Sequence, residues 1–232
     1  MLEARNISKS YRKKQILRDV CFNAPPGAYT CIVGRNGSGK STLLQILAGM
    51  LAPDCGGAVL LGDQMRSSAY ARNIGYVAQA DSLFGHLSAR DNIAFYASAA
   101  GLSMSASGVA HFTQLLGIDP FLKQRVSTLS GGQRRRVAIC VSLLHDPACL
   151  LLDEPFSGLD LVVKDELFRS LEELRRAGKI ILYTTHNIDE IFTPAKLIAL
   201  CGGTCMEVEY IQSQGDFRQF MLNLITEKGA SI

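Results

Sequence analysis

Short apolar runs broken by turn signals open the chain. Ile7 to Tyr11, Ile16 to Phe22 and Tyr29 to Val33 read as strands, and Pro25-Pro26-Gly27 reads as the turn before the third. Leu43, Leu44, Ile46, Leu47 and Met50 then recur at helical spacing. Residues 57–62 and 74–78 return to a strand-like pattern. From about 84 to 145 the pattern is mostly helical, with Ser88, Ser105 and Ser130 as candidate N-caps. Cys149-Leu150-Leu151-Leu152-Asp153 is a continuous apolar run ending in a carboxylate, the pattern of a strand buried on both faces of a parallel sheet. Residues 161–177 make an amphipathic helix closed by Gly178, and Ile180 to Thr184 makes another buried strand. In the tail, Phe217, Phe220, Met221 and Leu224 again recur at helical spacing and predict a short amphipathic helix on the core. Strands alternating with helices predict an α/β fold. No linker, repeat or low-complexity tract interrupts residues 1–232, so one domain is expected, with a helical insertion at about 84–145.

Composition narrows this picture. Of 232 residues, 47% are hydrophobic and 19% charged, which is globular rather than disordered composition. Lys plus Arg number 24 against 21 Asp plus Glu, so the formal net charge of +3 gives no support to a broad nucleic-acid surface, and no nucleic-acid partner is expected. No apolar run reaches the ~18 residues of a membrane helix. Met1-Leu2-Glu3-Ala4-Arg5 holds no apolar signal-peptide core, so a cytoplasmic location is expected. Seven scattered cysteines, an odd number, read as small buried hydrophobes. Cys201-x-x-x-Cys205 lacks a nearby His or second Cys pair, and no zinc site is expected there.

The chemistry concentrates between the third strand and the first helix. Gly34-Arg35-Asn36-Gly37-Ser38-Gly39-Lys40-Ser41-Thr42 fits the P-loop pattern in full. Glycines let the backbone wrap a phosphate chain, and the following helix offers free N–H groups and a positive dipole end. Gly34, Asn36, Gly37, Ser38, Gly39, Lys40, Ser41 and Thr42 are therefore the candidate phosphate-binding residues. Lys40 would reach the terminal phosphates, and the Ser41 hydroxyl would ligate Mg²⁺. Such a site needs a carboxylate at the end of a neighbouring buried strand. Asp153 is placed to hold the magnesium, and Glu154 to polarise the attacking water. Two adjacent acids are costly to bury unpaired, which disfavours a purely structural role.

Leu129-Ser130-Gly131-Gly132-Gln133, upstream of Asp153, resembles the signature motif of ABC ATPases without a mismatch. The resemblance runs from Tyr11 to His186 and weakens after about residue 193. It implies a P-loop NTPase core with a mainly parallel sheet. It also implies an N-terminal antiparallel β subdomain and a helical insertion carrying the signature. Tyr11 matches the aromatic that stacks on adenine. Gln79 matches the Q-loop glutamine that touches magnesium and the water. Ser157-Gly158-Leu159-Asp160 resembles the D-loop, where Ala is commoner at the second position. His186 matches the switch histidine at the γ-phosphate. His86, His111 and His145 match nothing and read as structural or exposed. The resemblance further implies head-to-tail dimerisation, in which Ser130, Gly131, Gly132 and Gln133 of one subunit close on ATP held by the other. The expected partners are a second copy of the chain, or a homologous ATPase subunit, and a separate transmembrane permease. That partnership would seat the chain on the inner face of the membrane. Arg134-Arg135-Arg136 reads as a solvated or dimer-facing helix start. At position 196 the family usually carries Asp, and this chain has Lys.

Residues 83–102 resemble subunits of drug- and haem-export systems, which implies an exporter. Leu83, Phe84 and Phe95 read either as a groove for the membrane subunit or as core of the insertion. A soluble ATPase with a non-membrane scaffold is the alternative. Long coiled coils and a second cassette, the marks of the chromosome-acting and ribosome-acting members, are missing from this sequence. A GTPase is disfavoured by the lack of a guanine-reading Asn-Lys-x-Asp.

Overall fold

The computed structural model describes residues 1–80, 82–104, 107–191, 196–208 and 219. Two sheets share one apolar layer. β1 (Leu2–Tyr11) and β2 (Lys14–Ala24) form a hairpin, and β4 (Cys55–Leu60) pairs with the other edge of β1. β5 (Asp63–Gln64) completes the antiparallel order β2-β1-β4-β5. Leu2, Ala4 and Ile7 face inward from β1, with a register shift between Ala4 and Ile7, where Asn6 takes a left-handed φ of 51°. That extra residue keeps the apolar side chains on one face.

The second sheet has the order β10-β9-β3-β8-β7-β6. β3 (Tyr29–Val33), β6 (Ile74–Val77), β7 (Cys149–Leu152), β8 (Ile180–Thr185) and β9 (Lys196–Cys201) run parallel, and β10 (Thr204–Val208) is an antiparallel edge. Every residue of β3, β7 and β8 is buried, as a strand covered on both faces demands. Strand alternation splits these residues between two layers. Ile32, Leu151 and Leu182 meet Leu43, Leu44 and Leu47 of α1 (Lys40–Leu47) and the antiparallel sheet. Cys31, Leu150, Leu152 and Ile181 meet α5 (Gly131–Leu143) and α6 (Leu161–Arg176). The mainly parallel α/β architecture is thus the one expected.

The insertion is less continuously helical than its pattern suggests. α3 (Ala89–Ala99) is followed by α4 (Ser107–Leu115), and two 3-10 turns, at Asp119–Phe121 and Val126–Thr128, separate α4 from α5. Ser88 caps α3, accepting from Asp91 N–H at 3.1 Å, and Ser130 caps α5. Ser105 and the tail positions Phe217, Phe220, Met221 and Leu224 lie outside the described residues. Helix α2 (Ser68–Arg72), capped by Ser67, escaped the sequence pattern because it is only five residues long. β9 and β10 escaped it too. Lys196 at the start of β9 donates to Asn23 Oδ1 at 2.7 Å and pairs with Glu207 of β10 at 2.9 Å. The lysine that departs from the expected Asp therefore ties three strands together.

Candidate active site

Four parallel strands end along one edge of the sheet, and the candidate residues sit at those ends. β3 turns into the loop from Gly34 to Gly39 and then into α1. Gly39 has φ 106°, and a Cβ there would sit 3.0 Å from Leu17 and 3.1 Å from Ile16. Another residue would be both strained and crowded. The first turn of α1 carries no acidic residue, so nothing in the helix competes for its free N–H groups.

Lys40 is only 5% exposed. Its ammonium donates to Gly34 O at 2.8 Å and Arg35 O at 3.1 Å and lies 3.6 Å from Glu154 Oε1. Burial pulls its pKa below the ordinary lysine value, while Glu154 and then Asp153 hold it up. Ser38 Oγ is buried with no hydrogen-bond partner. A buried cation, an orphaned hydroxyl and free helix N–H groups together fit a polyanion such as a triphosphate. The adjoining cavity has a volume of about 360 Å³. Asn36, Gly37, Gly39, Lys40, Ser41 and Thr42 line it, together with Tyr11, Ile16, Gln79 and Glu154. Tyr11 is 46% exposed, an aromatic face open to the cavity.

The two acids after β7 are held differently. Asp153 is buried, and its Oδ1 accepts from Thr184 Oγ1 at 2.7 Å. Glu154 N–H donates to the same Thr184 hydroxyl at 3.0 Å. Glu154 has φ 48°, a left-handed conformation that costs a non-glycine residue on the order of 1–3 kcal/mol. Along a regular strand, successive side chains point to opposite faces. The left-handed turn instead brings Glu154 to the cavity immediately after Asp153. There Gln79 Nε2 donates to Glu154 Oε2 at 3.1 Å, and His186 Nδ1 lies 3.0 Å from Oε1. Residues that follow β6 and β8 and the first residue of α1 thus meet on one carboxylate.

The signature residues lie elsewhere. None of 129–133 lines the cavity. Ser130 forms a capping box with Gln133, accepting from its N–H at 3.2 Å and donating its own N–H to Oε1 at 2.9 Å. A Cβ on Gly132 would come within 2.4 Å of Val163 Cγ1, so glycine is what lets α5 approach α6. Ser130 and Gly131 are exposed.

The arginine run corrects its sequence reading. Arg134 donates to Leu129 O at 2.7 Å, and Arg136 pairs with Glu166 of α6. Arg135 is buried rather than solvated, and donates to Ala78 O at 2.7 Å. Helical spacing held the signal: Gly132, Arg135, Ala138, Ile139 and Ser142 recur on one buried face. Thr184 was also missed, and its sign was a hydroxyl in a strand that is buried along its whole length.

An aromatic patch is formed by Phe84, Phe95 and Tyr96. Phe84 and Phe95 are 37% and 51% exposed and stack edge to face with centroids 5.0 Å apart. Tyr96 contacts both rings. Buried Asn92 bonds Phe84 N–H at 2.8 Å and Phe84 O at 3.1 Å, fixing the backbone under the patch. Leu83 packs partly on the core and lines a cavity of about 140 Å³ with Tyr96 and Val141. The buried thiols of Cys31, Cys140 and Cys149 are pushed up to about 12 by desolvation, which fits a packing role, whereas Cys21 and Cys55 are exposed and depart from the buried reading of the cysteines.

Residues 17–157 match the family described as ABC transporter. The chain belongs to that family. A molybdate/tungstate import ATP-binding protein of Pyrococcus horikoshii is 38% identical over 199 residues, covering 82% of this chain and 56% of that protein. A spermidine/putrescine import ATP-binding protein of Spiroplasma citri is 34% identical over 218 residues, covering 90% of this chain and 61% of that protein. This ABC chain therefore spans less than two thirds of the length of those relatives. A dimeric ATP-binding cassette in a post-hydrolysis state, bound to ADP and phosphate, superposes with a TM-score of 0.79 at 25% identity, covering 91% of this chain and all of that one. Among the described residues of the ABC chain, no helix is long and apolar enough to cross a membrane.

The expected export-type resemblance finds no support, because these relatives are import proteins by name. The residues of 83–102 that carried it have local folding roles. Ser88 caps α3, Asn92 pins Phe84, and Tyr96 donates to Ser82 O at 2.8 Å. Such roles carry no information about the direction of transport.

Proposed function

We propose that this chain binds ATP with magnesium, hydrolyses it, and powers a transporter by pairing head to tail with a second copy of itself or a homologous ATPase subunit. The observation that carries this reading is the buried Lys40 inside its phosphate loop, 3.6 Å from a Glu154 carboxylate that also meets Gln79 and His186. Ser41, Gln79 and Asp153 are the residues to hold magnesium, which would neutralise charge on the phosphate oxygens. Lys40 binds the terminal phosphates. Glu154 takes the proton of the attacking water, and Gln79 and His186 orient that carboxylate and the γ-phosphate end of the site. Purified chain is expected to release phosphate from ATP in a magnesium-dependent way. No release above background at any protein concentration overturns the reading.

Tyr11 presents its ring for adenine. Base stacking on an aromatic contributes ~1–3 kcal/mol, so Tyr11→Ala weakens ATP binding roughly 5- to 150-fold. Titration calorimetry with ATP checks this, and wild-type affinity in the variant removes Tyr11 from the site.

The patch at Phe84 and Phe95 is the surface for a transmembrane permease, which would seat the chain on the inner membrane face. Exposed aromatic anchors carry much of an interface's energy, and losing one commonly costs ~2 kcal/mol or more. Phe84→Glu and Phe95→Glu should each abolish co-purification with a multi-span membrane protein from mild detergent and leave basal hydrolysis intact. Capture of a soluble scaffold by the wild-type chain counts against a permease.

A further inference from the structure

Helix α5 begins with the signature residues and carries Arg135 one turn later. Ser130 and Gly131 are exposed, whereas Arg135 is 7% exposed and points into the chain's own interior. Its guanidinium donates to three main-chain carbonyls on two strand ends. Nη1 meets Ala78 O at 2.7 Å, and Nη2 meets Gln79 O at 3.1 Å and Glu154 O at 3.5 Å. Gln79 and Glu154 then meet again through their side chains, Nε2 to Oε2, at 3.1 Å. A ring closes: one guanidinium grips the backbone of the two residues whose side chains meet at the cavity.

The grip falls where the backbone is strained. Glu154 holds φ 48°, which persists only when its surroundings over-determine it. Its N–H is held by Thr184 Oγ1, and its carbonyl by Arg135 and by Ser157 N–H at 3.3 Å. A planar fork of five N–H donors can serve three carbonyls at once, and an ammonium on a flexible stem cannot reproduce that geometry. Burying an arginine is costly, and packing alone would be served by an apolar residue.

We propose that Arg135 is a positioning residue for hydrolysis, fixing Glu154 and Gln79 relative to the signature helix of the same chain. The proposal rests on the reading of Glu154 as the water-activating carboxylate. It has a consequence for the dimer. Movement of α5 when Ser130 engages the nucleotide of the other subunit is carried by Arg135 to the hydrolytic pair of its own site.

The test compares wild-type chain with Arg135→Lys and Arg135→Met, each measured for kcat, KM for ATP and melting temperature. Misplacing a reacting group by about 1 Å costs on the order of 100-fold in rate. Arg135→Met is therefore expected to lower kcat about 100-fold with KM within about threefold of wild type. Arg135→Lys keeps the charge and one hydrogen bond, and kcat should fall between the two. Lys also keeps the buried site polar, so it carries the test if the Met variant does not fold. Wild-type kcat in Arg135→Lys, or a KM that rises as kcat falls, overturns the proposal, since either outcome leaves only a packing role. A wild-type chain that hydrolyses no ATP, or a Glu154→Gln variant that hydrolyses at full rate, defeats the underlying reading instead.

Discussion

Lys40→Ala chain is expected to release no phosphate from ATP above background. The reason lies in how much converges on one ammonium. Lys40 is buried, and its partners in the structure are two carbonyls of its own loop and the Glu154 carboxylate. Phosphate oxygens are stronger acceptors than those carbonyls, so the lysine is poised to exchange partners when a nucleotide enters. Hydrogen bonds to charged groups contribute about 1.5–3 kcal/mol, which is the expected loss in ATP affinity. Charge developing on the transferred phosphoryl group adds to this in the transition state, where one lost donor costs on the order of 10²–10³ in rate. Stability should change less. Removing Lys40 leaves a buried Glu154 without its nearby cation, which destabilises. It also relieves the desolvation that depresses the lysine's own pKa, which offsets part of that cost. A small shift in melting temperature with complete loss of phosphate release is the predicted signature. Unchanged turnover would remove Lys40 from the phosphate site.

What the sequence revealed, and what it hid, follows from the range of the interactions. Strands β3, β7 and β8 were legible because a strand buried on both faces is mostly apolar, and Cys149 to Leu152 is so throughout. The form of the glycine-rich loop before α1 was legible because its demands are local: positive φ at Gly37 and Gly39, then a helix start at Lys40. Asp153 and Glu154 could be paired with that loop by chemistry alone. Their environment could not. Thr184 reaches Asp153 and Glu154 from thirty residues away, and Arg135 reaches Glu154 across nineteen. Those partners depend on β7 lying between β6 and β8, and strand order is not written in any local pattern. Arg135 shows the gap most clearly. Its neighbours in the run, Arg134 and Arg136, contact Leu129 O and Glu166, while the middle arginine turns inward on the buried stripe of α5. Reading the three as one charged block hid a helical phase that was present in the residues.

Glu154→Gln should convert a transient ATP-bound pair into a stable dimer. Gln has nearly the shape of Glu. Its amide oxygen can still meet Gln79 Nε2, and Gln79 can flip its own amide to suit either orientation. What is lost is the carboxylate proposed to take a proton from water, and removing a general base costs ~10²–10⁴ in rate. ATP then remains bound. In the proposed composite site, Lys40 of one chain and the α5 N-terminus of the other would both address the γ-phosphate, so that ATP itself would join the subunits. The geometry of the single chain favours this arrangement: Ser130 and Gly131 are exposed at a helix start, and neither lines the cavity that holds Lys40. A ligand at a hundredfold excess over its Kd stabilises the state that binds it by ~2.7 kcal/mol, and two sites per dimer roughly double that. Size-exclusion chromatography of Glu154→Gln with ATP should give a particle of two chains. Ser130→Arg added to Glu154→Gln should return it to one, because a bulky side chain then blocks the N-terminus of α5. Ser130 also caps that helix, and losing a cap costs ~0.5–2 kcal/mol, so the double variant must first melt as a folded protein. If a folded double variant still dimerises with ATP, the signature is not the ligand supplied by the partner, and the composite site is wrong for this chain.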